Sequence, residues 1–223
     1  MHLLGTPIQV LIDDYLPYDN WYDETLLYAY KSDDGALWNP LIEKAAAKFM
    51  GNYEAINGGM EYTAFDMLIA GGYAEYWSEE TSVDEFWEAI STADANNDMI
   101  TVGTYVGDTW GDQYSNELGL PYMHAFAIIG SDTVNLPNGS QQRLVKLRNP
   151  WAMEEYSGPY SDSSDDWTQA LLNQTGHELA DDGYFYVKIE DFPANFESVT
   201  IAKGAEGKHR TSFAKLADDE VFD

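Results

Sequence analysis

The stretch PYMHAFAIIG, from Pro121 to Gly130, carries a histidine at the start of an apolar run. A short apolar run that follows a proline and ends at a glycine is typical of a buried strand. Because side chains alternate between the two faces of a strand, the bulkier ones share one face, namely His124, Phe126 and Ile128. The pattern therefore predicts a strand that presents a histidine at the beginning of its bulky face.

A second stretch, RLVKLRNPWA from Arg143 to Ala152, predicts another strand, which ends at Asn149. The proline that follows fixes the direction of the backbone there. An asparagine beside an imidazole can accept its N–H and so hold its tautomer and orientation, as the third member of a cysteine–histidine–asparagine site does. Trp151 is placed to shield such a hydrogen bond from water.

Each of these residues also has a simpler interpretation. His124 taken by itself fits a satisfied residue of the core or its rim, and Asn149 fits an ordinary Asn-Pro turn at the end of a strand. The chain contains no cysteine, so thiol catalysis by these 223 residues alone is excluded. The sequence also has no Gly-x-Ser-x-Gly elbow and no phosphate-binding glycine loop.

An acidic segment follows the Asn-Pro turn and continues to the next predicted strand. Its carboxylates are Glu154, Glu155, Asp162, Asp165, Asp166, Asp181 and Asp182. Calcium takes six to eight oxygen ligands in flexible geometry, so such a segment suits calcium. The spacing is not that of an EF-hand, and a solvated acidic loop is the competing interpretation.

The charge of the chain is strongly negative. Eleven Lys and Arg residues oppose 39 Asp and Glu, which gives a net charge of −28, and no basic residue lies between Lys48 and Arg143. Such a field repels phosphate backbones and anionic lipids, so we expect no nucleic-acid partner. No apolar run approaches the roughly 18 residues of a membrane span, and residues 1–10 lack the features of a signal peptide. We therefore expect a cytoplasmic protein without membrane insertion.

The predicted elements favour an α+β fold, with helices mainly in the first half and strands in the second. We expect a strand at Ile8–Ile12, a helix that Asn39 caps and Gly51 ends, and a helix that begins with the capping box of Ser82 and Glu85. Five further β segments are predicted, at 99–106, 122–129, 143–149, 184–192 and 198–203.

Six motifs, taken in order, resemble the second part of the calpain protease core. They are IDDYLP, LWNPLIEKAAAKFMGNYEAINGG, MHAFAIIG, RLVKLRNPWA, YSDSSDDW and DDGYFYVKIEDF, and the likeness covers Ile8 to Lys203. Calpains are calcium-dependent intracellular cysteine endopeptidases with a papain-like core of two subdomains. The resemblance implies the end of the first subdomain at 1–58, the second subdomain at 59–203 and a polar tail at 204–223, with the second half forming an antiparallel, open barrel-like sheet.

The resemblance also implies roles for individual residues. His124 is the general base partner of the nucleophile, Asn149 orients it, and Trp151 lies near the substrate cleft. For calcium, Glu155, Asp162 and Asp182 match acidic ligand positions. Tyr184 stands where an acidic ligand is expected, which weakens that site.

Three departures from the family pattern bear on activity. The family's cysteine-bearing segment precedes the position that matches Ile8. Met123 replaces the glycine that usually precedes the histidine, and Ala152 replaces the glycine that usually follows the tryptophan.

Two hypotheses follow. The chain is either a portion of a calpain-like endopeptidase that is inactive alone, or a non-catalytic calpain-like module with a structural or interaction role. In both cases we expect a protein partner, or the missing segment, to cover the apolar face that the first 58 residues expose.

Overall fold

The computed structural model describes residues 1–3, 5–19, 25–32, 34–69, 72–109, 111–153 and 156–203. The strands are β1 (His2–Leu3), β2 (Thr6–Pro7), β3 (Tyr18–Asp19), β4 (Thr25–Leu26), β5 (Tyr73–Trp77), β6 (Met99–Thr104), β7 (Ala125–Asn135), β8 (Gln141–Arg148), β9 (Tyr184–Lys188) and β10 (Phe196–Ala202). The α-helices are α1 (Trp38–Met50), α2 (Glu61–Leu68), α3 (Val83–Ala95), α4 (Gln169–Thr175) and α5 (Phe192–Asn195). Two single-turn 3₁₀ helices lie at Glu54–Ile56 and Ile189–Asp191.

The centre of the fold is a six-stranded antiparallel sheet in the order β5-β10-β6-β7-β8-β9. Four of its strands come from the last hundred residues, as the α+β prediction required. The pairing places Val102 opposite Phe126 and Leu147 opposite Phe185. These four side chains are almost completely buried, so the sheet has one continuous apolar face.

Helix α3 covers this face through Phe86 and Ile90, which are fully buried. A smaller apolar cluster lies on the other side of β7 and β8, where α4 packs through Leu171. Each fully buried side chain of this size contributes roughly 1.5–3 kcal/mol to the free energy of folding. Because helices cover both faces of the sheet, the second half of the chain is well packed.

Several sequence predictions for this half are confirmed. Helix α3 begins with the complete capping box of Ser82 and Glu85. All five β segments contain a strand, and His124, Phe126 and Ile128 are buried on one face. The sequence analysis missed β5 and α4.

The predicted strand at Ile8–Ile12 is wrong. This segment has no strand assignment, and Leu11 is 57% exposed. Lys48 of α1 binds the backbone of this segment, because its Nζ donates to the carbonyl of Leu11 at 2.6 Å. Just after the segment, Lys44 Nζ donates to the carbonyl of Asp13 at 3.2 Å.

The predicted cap of α1 is also wrong. The helix begins at Trp38 with Leu37 as the capping residue, and Asn39 lies inside the first turn. Its side-chain amide donates to the carbonyl of Tyr30 at 3.3 Å and therefore ties the helix to the preceding segment. The predicted end is confirmed, since Gly51 adopts a positive φ of 117°.

No helix in the described part of the chain is long and apolar enough to cross a membrane. The predicted boundary at residue 58 stays a prediction. The predicted tail at 204–223 lies outside the described residues.

The capping box of α3 gives a direct test of the fold. Ser82→Ala removes the side-chain acceptor of the Glu85 N–H and leaves that donor without an intrahelical partner. We expect a loss of about 1 kcal/mol in the free energy of unfolding and a fall of about 2–4 °C in Tm, measured by circular dichroism. Ser157→Ala is the matched control, because Ser157 is exposed and its hydroxyl bonds to none of the described residues. Equal falls in Tm for Ser82→Ala and Ser157→Ala would contradict the assignment of Ser82 as the stabilising cap of α3.

Candidate active site

His124 is held by its backbone at the entrance of β7. Its N–H donates to Thr104 Oγ1 at 2.9 Å, and its carbonyl accepts the N–H of Thr104 at 2.9 Å. Thr104 is the last residue of β6 and is itself buried. The pairing of β6 with β7 therefore fixes the position from which the imidazole projects. The sequence analysis missed Thr104, because a threonine at the end of a strand carries no distinguishing signal.

Met123, immediately before the histidine, has a left-handed backbone with φ of 53°. An L-residue other than glycine, asparagine or aspartate pays roughly 1–2 kcal/mol for this conformation. The hydrogen bond from its N–H to the carbonyl of Tyr105, at 3.1 Å, holds the turn. The conformation explains in physical terms why glycine is the expected residue at this position.

Asn149 lies directly after β8 and is completely buried. Its backbone N–H donates to the carbonyl of Gly183 at 2.8 Å. Gly183 precedes β9, so the asparagine is held between the ends of two adjacent strands.

The two predicted side chains meet. His124 Nε2 lies 3.0 Å from Asn149 Oδ1, and the N–H of Trp151 donates to the same oxygen at 3.1 Å. An amide oxygen that receives a backbone N–H cannot be exchanged with the amide nitrogen, which settles the orientation of the amide. Nε2 therefore carries the proton of the neutral imidazole, and Nδ1 is left as the acceptor.

Asn149 Nδ2 is buried and has no hydrogen-bond partner among the described residues. An unpaired buried donor costs about 1–3 kcal/mol. The orientation of the amide is therefore maintained against a cost, which the two hydrogen bonds at Oδ1 offset.

Aromatic rings surround the imidazole. The ring of Trp151 lies 4.2 Å from that of His124 between centroids, and Phe126 meets it edge-on at 4.9 Å. Trp151 is 40% exposed, whereas His124 is 9% exposed. The indole therefore separates the histidine–asparagine bond from solvent, as predicted from the sequence.

Burial lowers the pKa of His124 below its ordinary value of about 6.5. The hydrogen bond with Asn149 and the charge of Asp112 oppose this effect by stabilising the protonated imidazole, but burial outweighs them. The imidazole is consequently neutral at pH 7, the state in which Nδ1 can accept a proton.

The turn after Asn149 is tightly packed against Gly183. Ala152 has a left-handed φ of 57°, and its N–H donates to the carbonyl of Asn149 at 3.0 Å. A Cβ on Gly183 would lie 2.9 Å from Ala152 Cα and 3.0 Å from Met153 N. Glycine is required here for the close approach as well as for its φ of 83°.

The predicted calcium ligands lie only partly within the described residues, and the two that do accept hydrogen bonds from the protein. Glu155 lies outside the described residues. Asp162 accepts hydrogen bonds at both oxygens, from His177 Nε2 at 2.7 Å and from the N–H of Ala180 at 3.0 Å. Asp182 is exposed and accepts the N–H of Tyr184 at 3.0 Å. The described residues contain no group of three or more acidic or histidine side chains arranged to hold a metal ion.

The lowered pKa of His124 makes the stability of the protein depend on pH. The unfolded chain takes up the proton first, so the contribution of neutral His124 is fully present above about pH 6.5 and is lost as the pH falls toward the folded pKa. We measure the free energy of urea unfolding of wild type minus that of His124→Gln, and we expect this difference to fall from pH 7.5 to pH 5.5 because only wild type has the titrating imidazole. A difference that stays constant or grows would contradict the sign.

The close approach at Gly183 can be separated from its backbone conformation. Gly183→Ala and Gly139→Ala introduce a Cβ at nearly the same φ, 83° and 86°, but Gly139 has no atom within 4 Å of the new Cβ. Both variants place an alanine in a left-handed conformation and so introduce the same backbone strain. Gly183→Ala must also displace the backbone of the 152–153 turn. We expect its fall in Tm to be at least about twice that of Gly139→Ala. Equal falls would show that strain alone matters at Gly183.

Comparison with known protein families gives a match over residues 1–203 to the family described as calpain family cysteine protease. Calpain-9 of Rattus norvegicus is 33% identical over 197 residues, which cover 87% of this chain and 28% of the relative. Calpain clp-1 of Caenorhabditis elegans is 32% identical over 202 residues, covering 88% of this chain and 25% of the relative. The chain thus spans little more than a quarter of the length of these relatives.

Among solved structures, the SERA5 proenzyme of Plasmodium falciparum matches 59% of this chain and 31% of its own. The sequence identity is 20% and the TM-score is 0.35. Because the family model matches nearly the whole described chain, the protein belongs to the calpain family of cysteine proteases.

Proposed function

We propose that this chain forms the histidine–asparagine half of a calpain-type peptidase site and has no peptidase activity alone. The observation that carries the proposal is the 3.0 Å contact between His124 Nε2 and Asn149 Oδ1 in a chain without cysteine. The contact supplies an oriented base, while the sequence supplies no thiol for that base to activate.

The chemistry assigns one task to each nitrogen of the imidazole. Nε2–H stays on Asn149, and Nδ1 takes the proton of a cysteine thiol provided by another segment. The thiolate then bonds to the peptide carbonyl carbon, the C–N bond breaks, and the leaving amine takes the proton from Nδ1. In the second half of the reaction Nδ1 accepts a proton from water, the water oxygen bonds to the carbonyl carbon of the thioester and the C–S bond breaks. The leaving thiolate takes the proton from Nδ1, which restores the thiol and the neutral imidazole.

We also propose that a protein partner covers the apolar face of the first 58 residues. Trp38 is 59% exposed and Ile42 is 43% exposed, both on the face of α1 that lines an open cleft of about 420 Å³. Apolar side chains clustered in this way mark an interaction surface more often than a free one. A cysteine-bearing protease segment or another protein is the occupant that we propose, together with the intracellular location that the resemblance implied.

A non-catalytic role is the second candidate function, and Met123 favours it. Met123 directly precedes the base, at a position where the family resemblance leads us to expect glycine, and it holds a left-handed backbone conformation there. In that case the module acts as a structural or interaction subunit.

A reconstitution experiment tests the two functions. The chain is assayed with a fluorogenic peptide alone, and then after mixing with the cysteine-bearing segment of rat calpain-9. We expect no activity alone and thiol-dependent hydrolysis in the mixture, which His124→Ala abolishes because the thiol loses its base.

Asn138→Ala, in the exposed turn between β7 and β8, is the matched control and should leave the reconstituted activity unchanged. Activity of the chain alone would overturn the proposal. Formation of a stable but inactive complex would favour the non-catalytic role.

A further inference from the structure

A buried histidine and a partly buried carboxylate join two segments that follow the Asn149 turn. His177 Nε2 lies 2.7 Å from Asp162 Oδ1, and their side chains are only 1% and 11% exposed. Asp162 belongs to the acidic loop, and His177 follows α4. We call this contact the 162–177 clasp. The sequence analysis found no role for His177, because the contact spans fifteen residues and matches no ligand spacing.

The clasp uses the carboxylate that the family resemblance assigned to calcium. The second oxygen of Asp162 accepts the N–H of Ala180. A calcium ion at this position would have to replace both donors with its own coordination. The cost of leaving the imidazole N–H and the amide N–H unpaired would then count against binding.

The imidazole is fixed by its surroundings. Its ring lies 4.9 Å from Trp167 and 5.1 Å from Tyr186, and its backbone N–H donates to Thr175 Oγ1 at 3.2 Å. The Tyr186 hydroxyl in turn donates to Asp132 Oδ2 at 2.8 Å. Swinging His177 out of the clasp would open this aromatic cluster, so the histidine is part of the folded structure and not an incidental neighbour.

The neighbouring ligand position has also changed character. Tyr184 stands where an acidic ligand was expected, and its ring lies 5.4 Å from Lys146 Nζ and 5.6 Å from the guanidinium carbon of Arg148. A carboxylate is therefore replaced by an aromatic ring that has two side-chain cations beside it. Positive charge beside Tyr184 opposes the binding of a divalent cation at this ligand position.

We propose that the 162–177 clasp replaces calcium as the cross-link of this lobe, so that the lobe holds the Asn149 turn without a metal ion. The connection to the turn is short: the segment from Ala180 leads to Gly183, whose carbonyl accepts the N–H of Asn149. The inference goes beyond the proposed peptidase function and holds whether or not a thiol is ever supplied.

The test compares calcium with a matched divalent ion. Tm of the full chain is measured in EDTA, in about 5 mM MgCl₂ and in about 5 mM CaCl₂, a concentration above the Kd of weak extracellular calcium sites. Both ions screen the acidic surface, but only calcium suits a flexible carboxylate site. We expect the same Tm in the two salts. We also expect His177→Ala to lower Tm by about 3–8 °C in either salt, because it removes the imidazole that donates to Asp162 Oδ1.

Two variants complete the design. Asp165→Asn, an exposed acidic residue of the same loop, should leave Tm unchanged, and His177→Gln should recover part of the loss because its amide can donate to Asp162. A calcium-specific rise in the Tm of wild type that Asp162→Asn abolishes would overturn the proposal. An unchanged Tm in His177→Ala would overturn it as well. If His177→Ala fails to fold, the comparison of Tm in calcium and in magnesium for wild type still tests whether the protein uses a calcium ion here.

Discussion

The site depends on one buried oxygen, Asn149 Oδ1, which receives two N–H groups inside the fold. One comes from the backbone of Trp151 and the other from the ring of His124, so the same atom orients the amide and selects the tautomer. The sheet supplies what this arrangement needs, because the register of β6, β7 and β8 brings together two residues that lie 25 positions apart in the sequence.

The second half of the chain was predictable because its local pattern agrees with its packing. Alternation placed His124 on the buried face, and the Ser82 capping box marked the start of α3. Strand β5 was missed because YAEYW contains alanine and glutamate, which are poor strand formers, and its order comes from pairing with β10. The partners of His124 and Asn149, namely Thr104 and Gly183, were missed for a related reason: their roles arise only when strands distant in sequence are paired.

The first half illustrates the opposite case. IQVLI has the composition of a buried strand, yet no described strand pairs with it, and Lys48 of α1 binds the carbonyl of Leu11 instead. The apolar pattern therefore predicted a buried segment, but no described part of the chain buries it. The same shortage of partners leaves Trp38 and Ile42 exposed on α1. Two of the few cations of a chain with net charge −28 are thus occupied in holding one extended segment.

Met123 and Ala152 bracket the histidine–asparagine pair, and both hold left-handed backbone conformations that favour glycine. Replacement by glycine normally weakens a folded protein, because the unfolded chain gains freedom. At these two positions the balance is reversed, since relief of roughly 1–2 kcal/mol of strain exceeds that entropic loss. The protein therefore carries two left-handed non-glycine residues close to its buried histidine–asparagine contact, and a sequence optimised for stability alone would place glycine at both positions.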